Sequence, residues 1–160
     1  MLKSLFKKKE EKIYAPINGK IVKLEDVPDP VFSQKMMGEG MAIQPEEGKV
    51  LSPVDGKIVQ LMDSKHAIGI EDNHGNEILI HIGLETVELK GEGFQPHIQV
   101  GDTVSVGQLL MEFDVAHIEA NAKSSVTPIV ITNSGTSGKS FTFTSEQQAT
   151  AGETVIIEAK

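Results

Sequence analysis

Ala15-Pro16-Ile17-Asn18-Gly19-Lys20-Ile21-Val22-Lys23-Leu24 returns later in the chain as Ser52-Pro53-Val54-Asp55-Gly56-Lys57-Ile58-Val59-Gln60-Leu61. Each copy reads as a proline, an Asx-Gly turn and a branched apolar strand, which is a hairpin signal. A second pair, Val100-Gly101-Asp102-Thr103-Val104 and Ala151-Gly152-Glu153-Thr154-Val155, places a glycine and an acid ahead of an apolar strand. Two copies of each indicate an internally duplicated barrel or sandwich, not a solenoid. Further strands are expected at 41–44, 67–70, 77–82, 108–113, 128–132, 140–143 and 155–159, spaced by turn residues. Asp114 is placed to cap a helix over Val115–Lys123, a segment without Gly or Pro. Pro28 to Gly40 reads as a loop or short helical turn carrying apolar side chains. The expected fold is all-β: an antiparallel β-sandwich/barrel hybrid with a duplicated motif and one or two short helices. No linker or charge block divides residues 13–160, so they read as one domain behind a flexible basic tail, residues 1–12.

The 160 residues suffice for one core. Trp is absent and aromatics are scarce, so Ile, Val, Leu and Met must fill it. There is no cysteine, which excludes a disulfide framework, a thiolate zinc site and a cysteine nucleophile, and fits a reducing cytosol. The net charge is −8 and every basic residue is lysine. That balance argues against nucleic acid and for basic protein partners, and it leaves no guanidinium fork for a phosphate. The first residues lack a signal peptide's apolar core, and no run is long enough to span a bilayer. As a helix, residues 2–9 would gather Leu2, Leu5 and Phe6 among lysines, at most a weak membrane-surface contact. A cytoplasmic monomer is expected.

Of five histidines, His74 sits in a turn, His97 follows a proline and His117 lies on the expected helix, all surface positions. His81 differs. Alternation along Glu77-Ile78-Leu79-Ile80-His81-Ile82-Gly83 puts the three isoleucines on one face and His81 on the other. If His81 Nδ1–H donates to the Gly83 carbonyl, the tautomer is fixed and Nε2 becomes a free nucleophile. The plainer alternative is a half-buried histidine satisfied by that carbonyl. Pairing the 66–70 and 77–82 strands about residue 74 brings His66 near His81. Facing histidines suit phosphoryl transfer, one attacking and the other donating to the phosphoryl oxygens. They would equally be half of a zinc site.

Taken together, Ala15-Pro16-Ile17-Asn18-Gly19, Glu25-Asp26-Val27-Pro28-Asp29-Pro30-Val31-Phe32, Lys65-His66-Ala67-Ile68 and the long run from Ile78 to Phe94 resemble the glucose-permease-type IIA component of the bacterial phosphoenolpyruvate:sugar phosphotransferase system. The resemblance extends from Ile13 onward. It implies that His81 is phosphorylated through Nε2 and that His66 supports the phosphoryl group. Ser64 stands where the family usually has a threonine steadying the second histidine. Asp29 and Glu85 match acidic positions suited to docking the basic face of HPr, the histidine phosphocarrier. Glu85 is one methylene longer than the usual aspartate. Val31, Phe32, Met36, Met37 and Met62 form the expected apolar rim, adaptable enough for HPr and then the IIB domain of a sugar permease. No cofactor and no metal is required, although His66 and His81 would pair on zinc at an interface supplying a carboxylate. Regulatory protein targets are a further implication.

Two rival likenesses are weaker. His74 to His81 resembles a strand of LytM-type zinc endopeptidases, but the chain has no His-x-His. Val100 to Leu110 resembles the turn rhythm of biotinyl and lipoyl domains, but no lysine sits in such a turn.

Overall fold

The computed structural model describes residues 11–160. Its strands are β1 (Glu11–Tyr14), β2 (Gly19–Lys23), β3 (Glu39–Pro45), β4 (Lys49–Leu51), β5 (Gly56–Leu61), β6 (Ala67–Asp72), β7 (Glu77–His81), β8 (Phe94–Pro96), β9 (Thr103–Val104), β10 (Leu109–Phe113), β11 (Thr127–Ile131), β12 (Phe141–Phe143), β13 (Gln148–Ala149) and β14 (Val155–Ala159). Two α-helices, α1 (Pro30–Ser33) and α2 (Val115–Asn121), and two 3-10 turns, Leu24–Asp26 and Thr86–Leu89, complete it. Asp114 caps α2 as its sequence indicates, accepting from His117 N.

One eight-stranded sheet runs β13-β2-β3-β11-β7-β6-β5-β9. Two three-stranded sheets, β1-β14-β12 and β4-β10-β8, lie against its inner face. All pairings are antiparallel, and the long sheet ends in open edges at β13 and β9. The architecture is therefore a sandwich without a closed barrel. The main core takes Ile13 from β1, Ile43 from β3, Ile58 from β5, Ile70 from β6, Ile80 from β7, Leu110 from β10, Ile129 from β11 and Ile156 from β14, all fully buried. Each such side chain contributes about 1.5–3 kcal/mol of burial. A smaller cluster covers the other face of the long sheet: Leu24, Val27, Phe32, Ala42, Ala67, Leu79, Leu84, Val126 and Val130. Strand alternation makes both possible, since Ile78 and Ile80 point into the first cluster and Leu79 into the second.

The duplication is real and its register can be read from the pairings. Ile21 pairs with Ile43 as Ile58 pairs with Ile70, and Ile43 pairs with Thr127 as Ile70 pairs with Ile78. Ile80 pairs with Ile129, which these registers make its own counterpart. A pseudo-two-fold axis thus passes between those two residues, and the counterpart of His81 is Val130.

Three sequence readings change. The Asx-Gly turns do not close hairpins. β1 and β2 belong to different sheets, as do β4 and β5, so each turn carries the chain from one layer to the other. Glycine is needed there for close approach: a Cβ on Gly19 or Gly56 would meet the Gln44 or Glu71 carbonyl. The second repeat has a different register from the one its residue types indicate. Tyr14 pairs with Val155 as Leu51 pairs with Leu109, and Gly19 pairs with Ala149 as Gly56 pairs with Val104. The counterpart of the Gly152 turn is therefore the Gly107 turn, not the Gly101 turn. Finally, Glu11 and Lys12 are the opening half of β1, not tail. Lys12 pairs with Glu158, and Glu11 Oε1 accepts from Lys139 Nζ and Asn76 Nδ2, each at 2.8 Å. The expectations for residues 1–10 lie outside the described residues.

Candidate functional site

β7 ends on His81, and β6 starts opposite it, with Ala67 paired to His81. One step further out, Ile82 N donates to the His66 carbonyl at 2.7 Å. That pairing brings the two imidazoles edge to face, with ring centroids 4.9 Å apart and planes at 77°. Gly83 then turns the chain with φ +74°, a conformation costly for any other residue. A Cβ there would also meet Thr86 Cγ2 at 2.6 Å and the Ser124 carbonyl at 2.8 Å. The turn aims the Gly83 carbonyl at His81 Nδ1, which donates to it at 2.7 Å. A carbonyl only accepts, so Nδ1 holds the proton and Nε2 presents its lone pair. Thr86 Oγ1 pins the turn by donating to the Ile82 carbonyl at 2.6 Å.

His66 is 3% exposed. Its Nδ1 is hydrogen-bonded to Ser64 Oγ at 2.7 Å. Burial pushes its pKa down to about 4, and the neighbouring His81 adds to the effect. Burial lowers His81 as well, opposed by the hydrogen bond to Gly83 and by the Asp29 carboxylate. Both rings are therefore neutral at neutral pH: one offers a free Nε2, and a second imidazole lies beside it.

The α1 loop forms the third wall. Asp29 caps α1 by accepting from Val31 N at 2.9 Å, and Pro30 occupies the first helical position. This holds Phe32 with its ring centroid 5.1 Å from that of His81. Phe32 is buried, so it is a wall of the site and not part of an exposed rim. Leu24, Val27 and Leu79 pack in the same cluster and draw it inward. Val31, Met36, Met37 and Met62 are exposed, and Met37 lines a groove with Val59 and Leu79. Glu85 is exposed at the start of the Thr86–Leu89 turn, with φ +59°.

Sequence reading missed several supports. Lys123 Nζ donates to the Pro28 carbonyl at 2.7 Å, next to Asp29. The adjacent Ser124 carbonyl accepts from Leu84 N at 2.8 Å, so residues 123–124 tie the α1 loop to the Gly83 turn. Among the described residues, the non-glycine positions with positive φ are Lys35, Lys65, Glu85 and Lys90. All belong to loops framing the histidines, and each costs on the order of 1 kcal/mol or more. Positive φ at a lysine has no local sequence signal.

The other histidines stay apart from this site. His74 is in the β6–β7 turn, His97 Nε2 meets Glu112 at 3.0 Å, and His117 Nε2 lies 3.7 Å from Glu92. Among the described residues no group of three or more His, Cys, Asp or Glu is arranged to hold a metal ion, and no helix is long and apolar enough to cross a membrane.

Known proteins are similar to this chain in sequence and in fold. A Staphylococcus epidermidis protein described as "PTS system glucose-specific EIIA component" is 47% identical over 163 aligned positions, covering 99% of this chain and 98% of that one. A protein of the same description from Oceanobacillus iheyensis is 51% identical over 165 positions, covering 99% and 98%. The solved structure of glucose permease IIA from Mycoplasma capricolum superposes with a TM-score of 0.88 at 37% identity, covering 94% of this chain and 96% of that one. The sequence profile described as "phosphoenolpyruvate-dependent sugar phosphotransferase system, EIIA 1" matches residues 11–137. By sequence, by fold and by the extent of both matches, the chain belongs to the EIIA type 1 family of that phosphotransferase system.

Proposed function

We propose that this protein is a phosphocarrier that takes a phosphoryl group from phospho-HPr onto His81 and passes it to the IIB domain of a sugar permease, glucose being the sugar named for its relatives. The observation that carries the reading is the bond from His81 Nδ1 to the Gly83 carbonyl, because it leaves Nε2 unprotonated on a ring that lies beside His66.

In the first step the His81 Nε2 lone pair attacks phosphorus as the P–N bond to the donor histidine breaks in line. The donor nitrogen leaves with that electron pair. No proton need move during attack, since Nδ1–H already sits on the carbonyl. In the second step the acceptor on IIB attacks and His81 is the leaving group. Ser64 hydroxyl donating to His66 Nδ1 fixes Nε2–H on His66, aimed to donate to the phosphoryl oxygens. A neutral His66 makes that bond without a permanent charge that would trap the phosphoryl group. Asp29 and Glu85 add negative charge for a basic donor surface, and the apolar rim supplies contact area. Such a carrier works on the cytoplasmic side, as a monomer, without a cofactor.

Reconstitution tests this. Phosphoenolpyruvate, enzyme I, HPr and membranes holding a glucose permease that lacks its own IIA domain should form glucose 6-phosphate only when this protein is added. Sugar phosphate formed equally without it, or none formed with it, contradicts the proposal.

A further inference from the structure

The methionines of the described chain divide sharply. Met41 and Met111 are core residues, 4% and 0% exposed. Met36, Met37 and Met62 are 69%, 36% and 37% exposed. All three exposed ones belong to the loops that build the histidine site. Met36 and Met37 end the α1 loop whose Phe32 lies against His81. Met62 opens the turn carrying Ser64 and His66, its carbonyl accepting from Lys65 N at 2.7 Å. The chain has no cysteine, so thioethers are its only sulfur.

We propose that Met36, Met37 and Met62 form an oxidant-sensitive modification site that slows phosphoryl exchange when a peroxide reaches it. This rests on the phosphocarrier reading above. The sulfur lone pair attacks one peroxide oxygen and the O–O bond breaks. Sulfur gives up two electrons and gains one oxygen. The other oxygen leaves as water from hydrogen peroxide, or as an alcohol from an organic peroxide. Each flexible apolar thioether becomes a polar sulfoxide with a strong acceptor oxygen. A docking partner must then desolvate up to three such dipoles on a surface it otherwise meets with apolar contacts. The two histidines are left chemically unchanged, and so is the core, because Met41 and Met111 are shielded. The change is reversible in principle, since methionine sulfoxide reductases return the thioether.

The experiment treats the intact protein with hydrogen peroxide, maps the added oxygen by peptide mass, and measures the rate of phosphoryl transfer from phospho-HPr before and after. Oxygen should appear on Met36, Met37 and Met62 well before Met41 and Met111. The transfer rate should fall roughly tenfold, equivalent to losing about 1.4 kcal/mol of docking energy. Methionine sulfoxide reductase should restore it. A Met36→Leu/Met37→Leu/Met62→Leu variant, whatever its own starting rate, should show no further fall with peroxide. Full oxidation of the three residues without loss of rate overturns the inference, as does an equal loss in the triple variant, which would place the damage elsewhere. If the untreated protein takes no phosphoryl group at all, the carrier reading fails first and this inference with it.

Discussion

The two halves of the long sheet share a framework and differ in their loops. In the first half, β2 leaves the sheet through residues 24–38, and this long connection folds over the sheet's outer face, laying Leu24, Val27 and Phe32 on Ala42, Leu79 and Val130. In the second, β5 returns to β6 directly through residues 62–66. The consequence appears at the axis. Val130 is fully buried, whereas His81, its counterpart, stays partly exposed. The long loop seals one half and supplies Phe32 as a wall, and the short loop supplies Ser64 and His66. The duplicated frame gives two equivalent positions, and unequal loops leave one of them buried as Val130 and the other open as His81 beside His66.

The comparison can be broken from either side. Removing the long loop's wall should have the largest effect. Phe32→Ala should cost about 3–5 kcal/mol of stability, the usual range for a buried ring, read by urea denaturation. Val59→Ala on the exposed side should cost within about 0.5 kcal/mol. Next, His66→Gln should accept the phosphoryl group yet pass it on about 10²–10³-fold more slowly, the loss typical of one positioned donor, measured by rapid-quench transfer to IIB. Val130→Ala, at the counterpart of His81, should cost roughly 2 kcal/mol of stability and leave transfer per folded molecule unchanged. A collapse of transfer there would mean the halves are not functionally unequal.

Acid titration sharpens the contrast further. Between the ordinary histidine pKa of 6.5 and about 4, the unfolded chain binds a proton at His66 that the folded chain refuses. Stability should therefore fall as pH drops through that window, and the slope should be shallower in His66→Gln, read as the difference in urea midpoints. The smallest effect concerns Asp29→Asn, which retains a capping side chain and removes the charge. Since Asp29 raises the His81 pKa, the variant's should lie lower still by NMR titration, and association with HPr should lose part of its salt dependence.

The histidine pair was legible because a strand pair reflects residues about its turn: the pairing centres on residue 74, which sets His66 beside His81. The isoleucine alternation in β7 and the Asp114 cap are equally local signals. What was not legible depends on distant partners. Pro-Asx-Gly looks the same whether the next strand pairs back or crosses to another layer. Gly-acid-Thr-Val points to Gly101 as the counterpart of Gly152, because residue types alone do not carry a register that only pairing reveals. Phe32 reads as rim beside Val31 until the loop folds over the sheet. The Lys123 bond to Pro28 and the Lys139 bond to Glu11 join residues far apart in sequence, with nothing near either to announce them.

The most direct test is the intact mass of wild type and His81→Ala after incubation with phosphoenolpyruvate, enzyme I and HPr. The account predicts one acid-labile phosphoryl adduct on wild type and none on His81→Ala, with the variant folded by circular dichroism. An unmodified wild type, or a folded His81→Ala that still carries the adduct, would contradict it.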